Sequence, residues 1–194
     1  MRIAFKEWAV VVDALGRGDQ IIILRKGGLS EGRGGFEVEH NRFLLFPTLF
    51  HQQRESVQPP AQSRYDALAP LLSSHQVRFE YYAEVVDWKF LDFLEMAERL
   101  RGQHIWRDEV IRERFDWGQS RSIYALAVRV FRLAHAVELP MRPEYGGCKS
   151  WVDLETLVAT EGSQAVLTDQ EFAGKLQRFH AVLEAAVPIN PVAA

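Results

Sequence analysis

Cysteine is almost absent from this chain. Its single example, Cys148, can form neither an intramolecular disulfide nor a cysteine-based zinc site within one chain. A reducing compartment is the expectation. Long apolar runs are missing as well, since no stretch reaches the roughly 18 consecutive apolar residues that a membrane-spanning helix needs. Neither sign of charge dominates: 23 Lys and Arg stand against 26 Asp and Glu, for a net charge of -3. Global attraction to nucleic acid or to an anionic membrane is thereby excluded, and any such binding needs a local basic patch. Lys6, Glu7 and Asp13 interrupt the N-terminal apolar stretch, which fits neither a signal-peptide core nor a transit peptide. The protein is expected in the cytoplasm.

What is present is ordinary globular material, 47% hydrophobic and 25% charged over 194 residues. That length favours one globular domain over residues 1–188 with a tail at 189–194. The apolar run Trp8 to Leu15, the turn Gly16-Arg17-Gly18-Asp19 and the β-branched run Ile21 to Leu24 read as a hairpin, with a helix through 3–15 as its rival. Short strands are expected at Phe36 to Val38 and at Phe43 to Phe46, the second stopped by Pro47. Residues 51–64, with Pro59-Pro60, read as a mobile loop, followed by a short helix from Asp66 to Leu72. Val77 to Val86 alternates like a half-buried strand.

Lys89 to Leu100 carries a helical stripe, and Trp106 to Phe115 reads as a second, shorter helix. Tyr124 to Leu133 is an inner strand with Arg129 as its anomaly. Thr168 and Glu171 make a capping box ahead of Phe172, Leu176, Phe179 and Leu183, so a C-terminal helix begins there and ends before Pro188. Internal repeats and regular strand–helix alternation are both lacking. The fold class is therefore α+β: a small mixed or antiparallel curved sheet, open or barrel-like, with helices packed on it and a C-terminal helix.

Chemistry concentrates in three segments. The phosphate-loop signature and the dinucleotide fingerprint are both missing, and no cofactor or metal site is indicated. Yet Arg25 and Lys26 run into Gly27 and Gly28, where backbone N–H groups and two cations can meet a phosphate; a flexible hairpin connection is the plain alternative. Glu39, His40, Arg42 and His51 gather two acid–base residue types and a cation, a pattern for proton transfer or for nothing more than a polar sheet edge. The third segment, Pro143 to Trp151, joins Gly146 and Gly147 to Cys148, Lys149 and Trp151. A lone cysteine is more often an inert small hydrophobe than a nucleophile.

The blocks KEWAVVVDAL, ILRKGG, VEHNRFLLFPTLFHQ, YALAVRVFRL and YGGCKSW, in that order from Lys6 to Trp151, resemble a bacterial family grouped as a domain of unknown function, DUF1802. The resemblance carries no catalytic residues with it. It implies an association of some relatives with restriction–modification or defence systems, which raises nucleic acid as a partner. A nuclease motif is not found.

Three functional readings follow. In the first, a noncatalytic nucleic-acid-associated module, Arg25, Lys26, Arg42, Arg129 and Lys149 hold phosphates and Trp151 or Trp8 stacks a base. In the second, a small hydrolase or transferase acts on an anionic, phosphate-containing substrate with Glu39 and His40 or His51 as its acid–base residues. The third is a structural or partner-binding subunit using exposed aromatics around Trp106 and Trp117. The loop after Lys26, the segment from Glu39 to His51 and the turn from Gly146 to Trp151 are expected on one side of the molecule.

Overall fold

Nine strands and five helices follow one another in the computed structural model, which describes residues 1–26, 31–32, 35–36, 40–49, 54–72, 75–118, 120–147 and 149–184. They are β1 (Ile3–Trp8), α1 (Ala9–Gly16), β2 (Ile22–Arg25), β3 (Glu31–Gly32), β4 (Gly35–Phe36) and β5 (Arg42–Thr48), then α2 (Pro59–Leu68), β6 (Gln76–Leu91), α3 (Leu94–Arg99) and α4 (Asp108–Asp116). After these come β7 (Ile123–Pro140), β8 (Trp151–Asp153), β9 (Gln164–Ala165) and α5 (Asp169–Glu184). Seven strands form one sheet, ordered β2-β7-β6-β5-β1-β8 with β9 on β7, while β3 and β4 pair separately. Among the described residues, only β1 and β5 run parallel; the other pairs are antiparallel. The result is a mixed, curled sheet with helices packed on it.

Alternation along the strands sorts the core. Phe5, Phe43 and Leu45 join the large cluster that also holds α1, α4 and α5 residues. Their neighbours Ala4, Leu44 and Phe46 turn to a second cluster with Phe79, Leu139, Tyr145 and Val152. Each such Leu or Phe contributes roughly 1.5–3 kcal/mol by burial, before chain entropy is set against it. Curling brings the edge strand β2 back toward β1. Arg25 closes that seam, donating to the Lys6 carbonyl at 3.4 Å and to Ser150 Oγ at 2.6 Å.

Several local expectations are corrected. The run after Trp8 is the helix α1 and not the first arm of a hairpin, and β2 pairs with β7 instead. Burial explains it: Ala9, Val10, Val11, Val12, Ala14, Leu15 and Gly16 are all enclosed, and a segment apolar all round can be helical whatever the strand preference of valine. Gly16 is needed there because a Cβ would overlap the Tyr81 ring.

Pro47 does not stop β5, which runs on to Thr48. Pairing with β6 ends at Leu44, so Pro47 lies where β5 has a neighbour only on the β1 side, a setting that tolerates a missing N–H. Pro59 and Pro60 open α2 rather than marking a loop, their absent N–H groups falling where a helix has no acceptor for them. The expected helix from Lys89 is strand as far as Leu91, with α3 beginning at Leu94. A bulge between Val85 and Asp87 admits the extra residue Val86 and lets β6 follow β7 to the Leu91–Ile123 pair.

Tyr124 to Leu133 is an inner strand, flanked by β2 and β6, and extends to Pro140. The capping box forms as expected: Glu171 accepts the Thr168 N–H at 2.9 Å while its own N–H reaches Thr168 Oγ1 at 3.3 Å. Phe172, Phe179 and Leu183 bury one face of α5. Among the described residues, no helix is long and apolar enough to cross a membrane.

Candidate functional site

Because β1 and β5 run parallel, their C-terminal ends finish side by side, with Trp8 opposite Thr48. Arg25 ends β2 at the same place, where Met141, Tyr145, Gly146, Gly147, Lys149 and Ser150 also lie. Together these enclose an open cleft of about 410 Å³ lined by Lys6, Glu7, Trp8, Arg25, Phe46, Thr48, Met141, Tyr145, Gly146, Gly147, Lys149 and Ser150. Such a volume lies within the range of small-ligand sites. Three cations face one carboxylate in it, so the cleft is basic although the chain is acidic overall.

Each charge is held by a specific partner. Lys6 Nζ donates to the Gly146 and Gly147 carbonyls at 3.2 and 3.1 Å. Gly147 adopts φ 75°, the left-handed conformation that L side chains avoid, which allows that turn. Lys149 Nζ donates to the Glu144 carbonyl. All three acceptors are uncharged carbonyls. Arg25 stands 3.7 Å from Glu7 Oε2 and its guanidinium lies 4.7 Å from the centre of the Phe5 ring.

Behind the cleft, the half-buried Arg114 is held between the rings of Trp8 and Trp106 at 4.8 and 5.0 Å and donates to the Leu24 carbonyl at 3.1 Å. Desolvation pushes its pKa down to about 10; the nearby Glu7 carboxylate opposes that shift and Arg25 adds to it. At neutral pH Arg114 stays charged.

Of the residues singled out from sequence, Arg25, Lys149 and Trp8 meet in this cleft. Lys26 lies elsewhere, its ammonium tied to the carbonyls of Phe115 at 2.7 Å, Ser122 at 3.0 Å and Ser120. Burial of that ammonium lowers its pKa. Arg42 pairs with Glu84 at 2.7 Å and lies over the Tyr82 ring. Arg129 pairs with Asp169 at the start of α5 and packs over Phe172.

Trp151 packs against Phe5 at 4.7 Å, Phe43 at 5.1 Å and His40 at 5.1 Å between ring centres, so its ring belongs to the aromatic core beside the cleft. Glu39, His51, Gly27, Gly28 and Cys148 lie outside the described residues. Of the three segments expected to converge, Thr48 of the second and Gly146, Gly147, Lys149 and Ser150 of the third line the one cleft, whereas the loop after Lys26 lies largely outside the described residues and none of its described residues lines it. Trp106 is fully buried whereas Trp117 is exposed. Among the described residues, no group of three or more His, Cys, Asp or Glu is placed to hold a metal ion.

Lys6 and Glu7 were not among the candidate residues read from sequence, and Thr48, Tyr145 and Ser150 entered only as members of the candidate segments. The signal was present for two of them: Lys6 and Glu7 interrupt an apolar strand, and a carboxylate in such a strand needs a reason.

A curled α+β sheet with a basic cleft at the ends of its parallel pair defines the class of architecture. The family model described as Domain of unknown function (DUF1802) matches residues 4–178, and the chain belongs to that family. Among solved structures it is similar to an ASCH protein from Zymomonas mobilis and to a point mutant of that protein, each at 12% identity with a TM-score of 0.45. The alignments cover 90% of this chain and 92% and 95% of those chains. At that level the likeness bears on neither ligand nor activity. The sequence has no significant match among curated proteins.

Proposed function

We propose that this chain is a noncatalytic nucleic-acid-associated module whose cleft receives a phosphate-bearing strand. The observation that carries the reading is the convergence of Lys6, Arg25 and Lys149 from three separate segments on one open cleft of an otherwise acidic protein. Phosphate contacts of this kind supply affinity and register without reading sequence. Trp8 gives the same cleft aromatic surface, over the buried rings of Phe46 and Tyr145, and a base at its mouth gains from stacking.

Labelled single-stranded and duplex oligonucleotides, titrated at two salt concentrations, test the proposal. Binding that weakens as salt rises is expected, because each phosphate contact releases counterions. Absence of salt-sensitive binding at tens of micromolar protein refutes it.

A further inference from the structure

Phosphate binding accounts for the cations of the cleft and leaves one oxygen of its single carboxylate without a hydrogen bond. Glu7 is 1% exposed at the end of β1. Its Oε1 accepts the Trp8 backbone N–H at 2.8 Å. Oε2 is buried and accepts no hydrogen bond from any described residue. Arg25 Nη1 stands 3.7 Å from that oxygen, outside hydrogen-bond reach. Its guanidinium is directed instead to Ser150 Oγ and the Lys6 carbonyl. A carboxylate whose only task was to fix Arg25 would close on it in a bidentate pair. A buried acceptor left open in the wall of a cleft calls for a donor from outside the chain.

We infer that Glu7 Oε2 is the specificity-determining acceptor of the cleft and takes a neutral N–H from the base of a bound nucleotide. The matching donors are the N6 amine of adenine and the N4 amine of cytosine; guanine and uracil present a carbonyl at the equivalent ring position. This inference rests on the nucleic-acid reading. The donor is neutral because Lys6, Arg25 and Lys149 repel an ammonium, and because Arg25 and Arg114 already offset the charge of Glu7. A phosphate that draws the Arg25 guanidinium outward opens the approach to Oε2. A base carbonyl at that position sets two acceptors against each other, and that mismatch is how the cleft rejects uracil.

Fluorescence anisotropy with short labelled RNA homopolymers of equal length tests this on the unaltered protein. Oligoadenosine is compared with an oligomer of purine riboside, which keeps the ring and loses the amine, and with oligouridine. Adenosine is expected to bind about tenfold more tightly than either, the discrimination of one good polar base contact. Glu7→Gln, whose amide can donate as well as accept, is expected to bring those ratios close to one. Equal affinity of the unaltered protein for all three oligomers overturns the inference while leaving the phosphate reading intact. So does a Glu7→Gln protein that folds and keeps the preference. Failure of every oligomer to bind overturns both. Should Glu7→Gln not fold, the adenosine and purine riboside comparison decides alone.

Discussion

Acid should destabilise this protein through His104 in a way that one substitution can isolate. The imidazole is 5% exposed, and Nδ1 accepts no hydrogen bond from, and donates none to, any described residue. Burial lowers its pKa to about 4 from 6.5, Arg114 and Arg101 assist, and Asp108 together with a hydrogen bond to the Trp106 backbone oppose. The folded state therefore holds fewer protons than the unfolded chain between these two values. Stability is fully present above the unfolded pKa of 6.5 and falls as pH drops toward 4. Working the linkage at pH 4.5 gives a loss of about 2–3 kcal/mol relative to pH 7.5.

Carboxylates add their own acid lability in the same direction. Asp108, for instance, is held below its usual range chiefly by Arg101, and that stabilisation also disappears as pH falls. A comparison removes their share: His104→Gln keeps a polar group without the titration. Urea unfolding of both proteins at the two pH values should show the variant losing about 2–3 kcal/mol less on acidification. Equal losses in the two proteins would refute the reasoning.

Two further substitutions address elements that organise the molecule. Lys26→Met removes the ammonium that ties the end of α4 to the segment before β7; it should cost about 1–3 kcal/mol by thermal unfolding and leave the salt dependence of nucleic-acid binding unchanged, whereas an unchanged Tm contradicts the structural role. Thr168→Ala breaks the cap of α5 and should cost about 1 kcal/mol in the same assay; no change would mean the cap is not limiting.

Legibility in the sequence followed the strength of local signals. The capping box and apolar stripe of α5 are local, and they were readable because a helix terminus is written in four or five consecutive residues. The alternation of β6 was readable only in part: register shifts between Phe79 and Tyr81 and between Val85 and Asp87 reset the pleat, so Val77 and Phe79 join one cluster and Tyr81, Ala83 and Val85 the other, and the strand beyond Val86 imitates a helical stripe. The helix α1 was misread because valine preference and burial pull in opposite directions, and burial on all sides is a tertiary fact. Arg25 and Lys149 were visible as cations beside glycines. Lys6 and Glu7 join them only because β1 pairs in parallel with β5, a contact between distant segments that no local pattern records. The same reasoning separates Lys26 from its neighbour Arg25: alternation sends adjacent residues different ways, and Lys26 meets carbonyls beyond α4.

The central claim, that Lys6, Arg25 and Lys149 bind phosphates together in one cleft, is tested most directly by the slope of log affinity against log salt for a single-stranded oligonucleotide. Three phosphate contacts predict a slope of about -2, or a roughly 18-fold weakening between about 50 and 200 mM salt. Lys149→Ala should reduce the slope to about -1.4 and the weakening to roughly sevenfold. A slope near zero, or one that Lys149→Ala leaves unchanged, contradicts the account.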